Sequence, residues 1–469
     1  MTKMWSGRFV GGTDPQFEQW QRSFSYDRRL LPYEVAASKI HAEALFGASV
    51  LTRDELAATL AGLDRILSEG VPADDDPAIE DVHHFVEKRL VEIAGEVGLK
   101  LHTGRSRNEQ IATDLRLFLR DHVGVVRGLI AEFIGAFVEQ ASAAGDAVMP
   151  AYTHMQRAEP VLVAHWLLAY AEMFARDLTR LEECADRASE CPLGSAAIAG
   201  TILPLDRHEI ATKLGFDRPT RNSMDATSDR DFVIEFVQAC ALLANHLSRW
   251  ADEMVLFSTQ EYGFVRLPDA YATGSSAMPQ KKNPDAMELI RGKAGRITGL
   301  AVSLLMMTKG LPLAYNKDLQ ETQQPLFETA DQMEALLAVA TGFMQAVEFD
   351  FARMRAAAST GCVNAMSAAA YLVRTGVPFR EAHAVIGAAV RVCVEKQCEL
   401  EQLNDADFAA CGINADAGFY DSLKLKNVIA CHDVAGGTAH AQVASALREW
   451  RERVSAWKSA EKGAAHACA

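Results

Sequence analysis

Positive charge is scarce in this chain. Its 469 residues hold 47 Lys and Arg against 62 Asp and Glu, a formal net charge of -15. A general binder of nucleic acid or anionic membrane needs a basic face, so the balance speaks against both. A small anionic substrate stays open, because a local basic pocket can sit inside an acidic protein. Long apolar runs are missing too. No stretch approaches about 18 uninterrupted apolar residues, so no membrane span is expected. The opening MTKMWSGRFVGG lacks the apolar run of a signal peptide, and a cytoplasmic protein is expected. Nine cysteines, from Cys184 to Cys468, make no C-x-x-C pair and are odd in number. Reduced thiols are therefore expected rather than a disulfide framework.

Cofactor signatures are absent as well. His83 and His84 are adjacent and point in different directions, and no H-E-x-x-H or paired-cysteine pattern occurs, so no metal is expected. There is no G-x-S-x-G elbow, no Walker A motif and no G-x-G-x-x-G after a strand. Nucleotide and hydride chemistry have no support, and no cofactor is expected.

What is present is the helical period. Phe236, Cys240, Leu243, Leu247, Trp250, Met254 and Phe257 alternate spacings of four and three, a seam along one helix face. A second seam runs Ile111, Leu115, Phe118, His122, Val125 and Leu129, continues through Phe133 and Phe137, and ends near Gly145. Others occupy 161–181 and 293–309. With almost no strand-like alternation between them, these patterns predict an all-α fold built on an elongated bundle. Chain length suggests roughly three domains. The patterning places them at 1–104 (short helices), 105–356 (long helices) and 357–469 (a second small helical domain). Stripes wide enough to meet more than one neighbour predict that chains associate.

Four polar, Gly-containing breaks interrupt the helices where packing does not require them. In HTGRSRNEQ (102–110), Ser106 and Glu109 fit a capping box. The free N–H groups of a helix start beside Arg105 and Arg107 equally suit an anion. In AYTHMQRAEP (151–160), His154 sits in a short loop, either structural or a proton donor near neutral pH. In GSSAMPQKKNPD (274–285), Asn283 suits an N-cap, Pro284 the first helical position and Asp285 the first turn. Two lysines before a helix N-terminus conflict with its dipole, and an anion would remove that conflict. Glu288 follows about one turn later. The fourth break, LAYNKDLQETQQP (313–325), is a run of donors and acceptors, either a solvated loop or a reader of a polar ligand.

GSSAMPQKKNPD resembles the signature loop GSSxMPxKxNP of the fumarase/aspartase superfamily, whose members eliminate across a C–N or C–O bond and release fumarate. Within it, QKKNPD, TGRSRNEQ, YTHMQRAEP, NSMDATSDRDF (222–232), YNKDLQE (315–321), WSGRF (5–9), FSYDRRL (24–30) and YLVRTGVPFREAH (371–383) resemble the argininosuccinate lyase family. The resemblance spans the chain. It implies a homotetramer around a central twenty-helix bundle, with each active site assembled from three different chains. The implied reaction converts argininosuccinate to arginine and fumarate. It also implies roles: Ser275 as base, Lys281 and Asn283 as stabilisers of the developing dianion, His154 as acid to the leaving nitrogen, and Glu288 as its partner. Ser23, Asn108, Thr153, Tyr315 and Gln320 match substrate-contacting positions, and Arg107 matches an arginine beside the fumarate moiety. Where the family commonly reads YNKDLQEDKE, this chain has Gln323 in place of a lysine. A glutamine brings no charge, so weaker substrate binding or a replacement cation nearby is expected. The alternatives are a sister lyase acting on another succinyl adduct, or a non-catalytic crystallin-like relative.

Overall fold

A computed structural model of the chain describes residues 13–72 and 76–467, without the side chains of the last eight. WSGRF lies outside the described residues. The four apolar seams become long helices: Arg107–Ala144, Val163–Arg187, Asp231–Phe257 and Asp285–Thr308; a fifth is Gln323–Ala346. The fold is all-α. The described strands form four two-stranded pairings, three of them only two residues long. No described helix is long and apolar enough to cross a membrane. The eight described cysteines are all free thiols.

The chain divides into two compact units, each built from three stretches. The first comprises Met1–Val125, Arg180–Ala241 and Ile297–Gln332. Its short helices Leu31–Gly47, Arg53–Glu69 and Val82–Ala94 pack through Leu45, Leu63, Ile66, Val82, Val86 and Leu90, all buried. The middle helix starts with a capping box. Thr52 N–H donates to Glu55 Oε2 at 2.9 Å, and Glu55 N–H donates to Thr52 Oγ1 at 3.3 Å. Gly62 lets this helix approach its neighbour, since a Cβ there would lie 2.6 Å from Leu90 Cδ1.

The second unit comprises Val126–Thr179, Leu242–Arg296 and Met333–Ala469. Its core is aromatic. Phe133 sits 4.9 Å from Phe174 and 5.0 Å from Trp250, and Trp250 lies 5.7 Å from Phe343, centroid to centroid. Each such side chain, fully buried, stabilises by roughly 1.5–3 kcal/mol. A smaller cluster of Leu372, Ile386, Phe408 and Phe419 holds the C-terminal helices together. This unit also contains a β-hairpin that the periodicity did not predict, Val148–Thr153 against Gln156–Leu162.

Candidate active site

In the first unit, five of the predicted substrate contacts line one cavity of about 250 Å³: Ser23, Arg107, Asn108, Tyr315 and Gln320. Half of the predicted capping box at 106–109 forms, because Ser106 Oγ takes the N–H of Asn108 and not that of Glu109. Ser106 N–H donates to Glu109 Oε1 at 3.0 Å, and Ser106 Oγ accepts from Asn108 N–H at 3.3 Å. The cap sets the start of the helix, and so brings Arg107 and Asn108 to the cavity wall. Gln320 is fixed by donating Nε2 to the Gln21 carbonyl at 2.9 Å. Burial pushes the Tyr315 phenol above its usual range, against the pull of the Arg230 charge.

Beneath this wall lies a buried charge network. Arg107 Nε is 3.2 Å from Asp81 Oδ2. Asp81 Oδ1 is 3.7 Å from His83 Nδ1, and His83 Nε2 is 2.9 Å from Asp114 Oδ2. Burial opposes charge on both partners of the Asp81–His83 pair. The Arg107 charge and the neighbouring His83 outweigh it and hold the Asp81 carboxyl well below the usual range. The hydrogen bond with Asp114 and the nearby Asp81 carboxylate outweigh it at His83 and raise that imidazole to about 10. Glu34, His83 and Asp114 bring ligand-type atoms within 4.8 Å of one another. They are engaged among themselves, and Glu34 also accepts from Ser38, Gln110 and Arg105. Ser23 Oγ donates to Asp27 Oδ2 at 2.5 Å. Burial and the Asp81 charge push the Asp27 carboxyl up to about 7, against the Ser23 hydrogen bond and the His83 charge.

The other predicted residues, except Gln323, belong to the second unit. Thr153 closes a two-residue hairpin turn by pairing with Gln156. The turn residues His154 and Met155 have φ of 51° and 59°. Two successive positive φ values define the turn type that favours Asn-Gly, so His and Met are strained there. The turn holds the His154 side chain exposed at the hairpin tip. Arg157 anchors the hairpin by donating to Thr360 Oγ1 at 2.6 Å and to the Ala357 carbonyl at 3.3 Å.

The serine loop is bracketed by the pairing of Thr273–Gly274 with Lys282–Asn283. Ser275 Oγ accepts from two backbone N–H groups, Ala277 at 3.3 Å and Met278 at 3.2 Å. Lys282 Nζ is tied down to the Leu267 carbonyl and Asp269, whereas the adjacent Lys281 is exposed. The predicted N-cap is corrected by one residue. Asn283 is drawn into the strand pair and donates to Thr273 Oγ1 at 3.4 Å, while the Pro284 carbonyl accepts the first helical bond, from Glu288 N–H at 3.1 Å. Glu288 faces Arg291 at 3.7 Å, and not His154, among the described residues. Gln323 is not brought to the first-unit cavity. It opens its helix fully buried, 1% exposed, with Oε1 lacking a partner among the described residues.

Sequence reasoning missed Arg230. It is 2% exposed, donates Nη1 to the Asp229 carbonyl at 2.7 Å, and leaves Nε and Nη2 without a partner among the described residues. Burial lowers its pKa to about 10, with Tyr315 acting against that loss. A buried guanidinium with open N–H groups suits an anion. In SDRDF it reads as one more surface charge. The Asp81–His83–Asp114 chain was equally hidden, because Asp114 lies far from the other two in sequence.

Known proteins match over the same span. The lyase family model covers residues 7–299, and that of the argininosuccinate lyase C-terminal region covers 362–430. Argininosuccinate lyase of Koribacter versatilis is 60% identical over 452 residues, covering 96% of this chain and 97% of that protein. That of Acidobacterium capsulatum is 53% identical, covering 96% and 94%. Among solved structures, EDDS lyase in complex with formate has a TM-score of 0.84 at 28% identity, covering 98% of this chain and 93% of the other. A class II fumarase from Schistosoma mansoni, at 15% identity and a TM-score of 0.74, shares the fold, covering 88% and 94%. With both family models matched and the identity running almost end to end, this chain belongs to the argininosuccinate lyase family of the fumarase/aspartase superfamily.

Proposed function

We propose that this chain cleaves argininosuccinate to L-arginine and fumarate, an elimination that breaks a carbon–nitrogen bond. The observation that carries the mechanism is the Ser275 hydroxyl oxygen, which accepts two backbone N–H groups. A base must take a proton from the carbon beside a carboxylate, and the charge left behind spreads into that carboxylate. A serine can do this only if its own oxyanion is stabilised, and fixed N–H donors do so at no reorganisation cost. Lys281, untied beside the anchored Lys282, adds positive charge both to the serine and to the dianion, and Asn283 donates to the same region. When the C–N bond breaks, His154 gives its proton to the leaving guanidino nitrogen.

Glu288 orients His154 in this scheme. Within one chain Glu288 pairs with Arg291 instead. This supports a site completed by other copies in a homotetramer around a twenty-helix bundle. Ser23, Arg107, Asn108, Tyr315 and Gln320 grip the substrate, with Thr153 as a further contact, while the buried Gln323 does not reach it. Segments 1–104, 105–356 and 357–469 are the proposed domains, and the cytoplasm the proposed location.

The test is to incubate the purified protein with argininosuccinate and follow fumarate absorbance. Turnover is expected, and Ser275→Ala should reduce it by about 10³-fold or more with the fold and assembly intact. No fumarate from argininosuccinate, with turnover of another succinyl adduct, would transfer the chain to a sister activity.

A further inference from the structure

Ser23 has a fixed backbone and a side chain with one choice to make. Its N–H donates to the Glu80 carbonyl at 3.0 Å, and its own carbonyl accepts from Tyr26 and Asp27 N–H at 3.0 and 2.9 Å. Only the hydroxyl is left to orient. A hydroxyl offers one proton and two lone pairs. The Ser23 proton goes to Asp27 Oδ2, 2.5 Å away and one helical turn on. That is the length of a bond to an ionised carboxylate, the form Asp27 takes above its raised pKa of about 7. The other Asp27 oxygen accepts from Val82 N–H at 3.0 Å. Asp27 is 2% exposed, so water does not compete for either bond. Ser23 itself lines the cavity.

We propose that Asp27 is a positioning residue that turns the Ser23 hydroxyl into an obligate acceptor, so that Ser23 recognises an N–H-bearing cationic part of the substrate and not a carboxylate. The proposal rests on the reading of Ser23 as a substrate contact. With its proton committed to Asp27, Ser23 shows the cavity only lone pairs. A substrate carboxylate placed there would set lone pair against lone pair. A guanidino or ammonium N–H finds the acceptor it needs, on a wall that holds the donors Arg107 and Asn108 but also the carboxylates Glu18, Glu80 and Asp81. Inverting such a bond leaves buried polar groups mismatched, which is how polar sites reject the wrong ligand.

Asp27→Asn tests this without changing volume. Val82 N–H demands an acceptor, so the new amide must turn its oxygen to Val82 and its NH2 to Ser23. Ser23 then accepts from the amide, and its own proton points into the cavity. At pH 8, Asp27→Asn should raise KM for argininosuccinate about tenfold with little change in kcat, and Ser23→Ala should raise it comparably. In a Ser23→Ala background, Asp27→Asn should change KM less than about twofold. An undiminished effect there would show that Asp27 acts through the fold, and overturn the proposal. A raised KM in Ser23→Ala with none in Asp27→Asn would overturn the positioning role and leave the contact standing. An unchanged KM in Ser23→Ala would remove the contact and the proposal with it. Product inhibition gives a reading that does not depend on Asp27→Asn folding. Ser23→Ala should weaken inhibition by L-arginine about tenfold and leave that by fumarate within about twofold; the reverse pattern overturns the assignment.

Discussion

His83 is a charge held in place by geometry. Asp81 and Asp114 flank its imidazole, Glu34 lies 3.8 Å from Nε2, and Arg107 reaches it through Asp81. The raised pKa of about 10 has a thermodynamic consequence. A histidine protonated more tightly in the folded state contributes stability that is full below its unfolded pKa of about 6.5. That contribution is lost as pH rises through the folded value. The melting temperature of the wild type should therefore fall more between pH 7 and 10.5 than that of His83→Asn, which starts lower. Parallel curves for the two proteins would refute the assignment. Two other residues sharpen what single positions reveal. Ser106 was readable as a cap because its partners Asn108 and Glu109 lie within four residues. Arg230 was not, because its burial depends on segments remote from it.

At the level of the element, the 154–155 turn is the place where local preference gives way. Met155 is 57% exposed with φ of 59°, so burial does not set its cost but backbone conformation does. Met155→Val should destabilise by about 1–2 kcal/mol, since a β-branched residue resists positive φ, and Met155→Gly should not. Denaturant midpoints of the two variants measure this directly. The same turn shows why the hairpin escaped prediction. Its first strand buries Val148, Met149 and Pro150 in succession, so no two-residue alternation appears, and its turn carries neither Asn nor Gly. The long helices were readable because one apolar face repeats over many turns: the 236–257 seam lies entirely within Asp231–Phe257. The helix after the serine loop was readable in kind and off by one residue at its start. A strand pair with Thr273 claimed Asn283, and no periodicity reports a partner ten residues away.

For the whole molecule, the helix Asp285–Thr308 leaves Val302, Leu305 and Met306 exposed at 55%, 47% and 60%. Spacings of three and four place them on one face, which fits burial between copies. Leu305→Asp should shift the sizing profile from the proposed tetramer to smaller species; an unchanged profile would place the interface elsewhere. The division into two units carries a different consequence. Every boundary between them falls inside one of the five long helices named above, and none in a loop. A protease therefore meets no linker that separates one unit from the other. Cleavage in the exposed stretch 276–281 would instead yield two pieces meeting within that stretch, each holding strands of chain from both units. Neither piece can leave without dismantling both cores. The nicked protein should keep its native elution volume, run as two bands once denatured, and have lost the cut segment's chemistry alone.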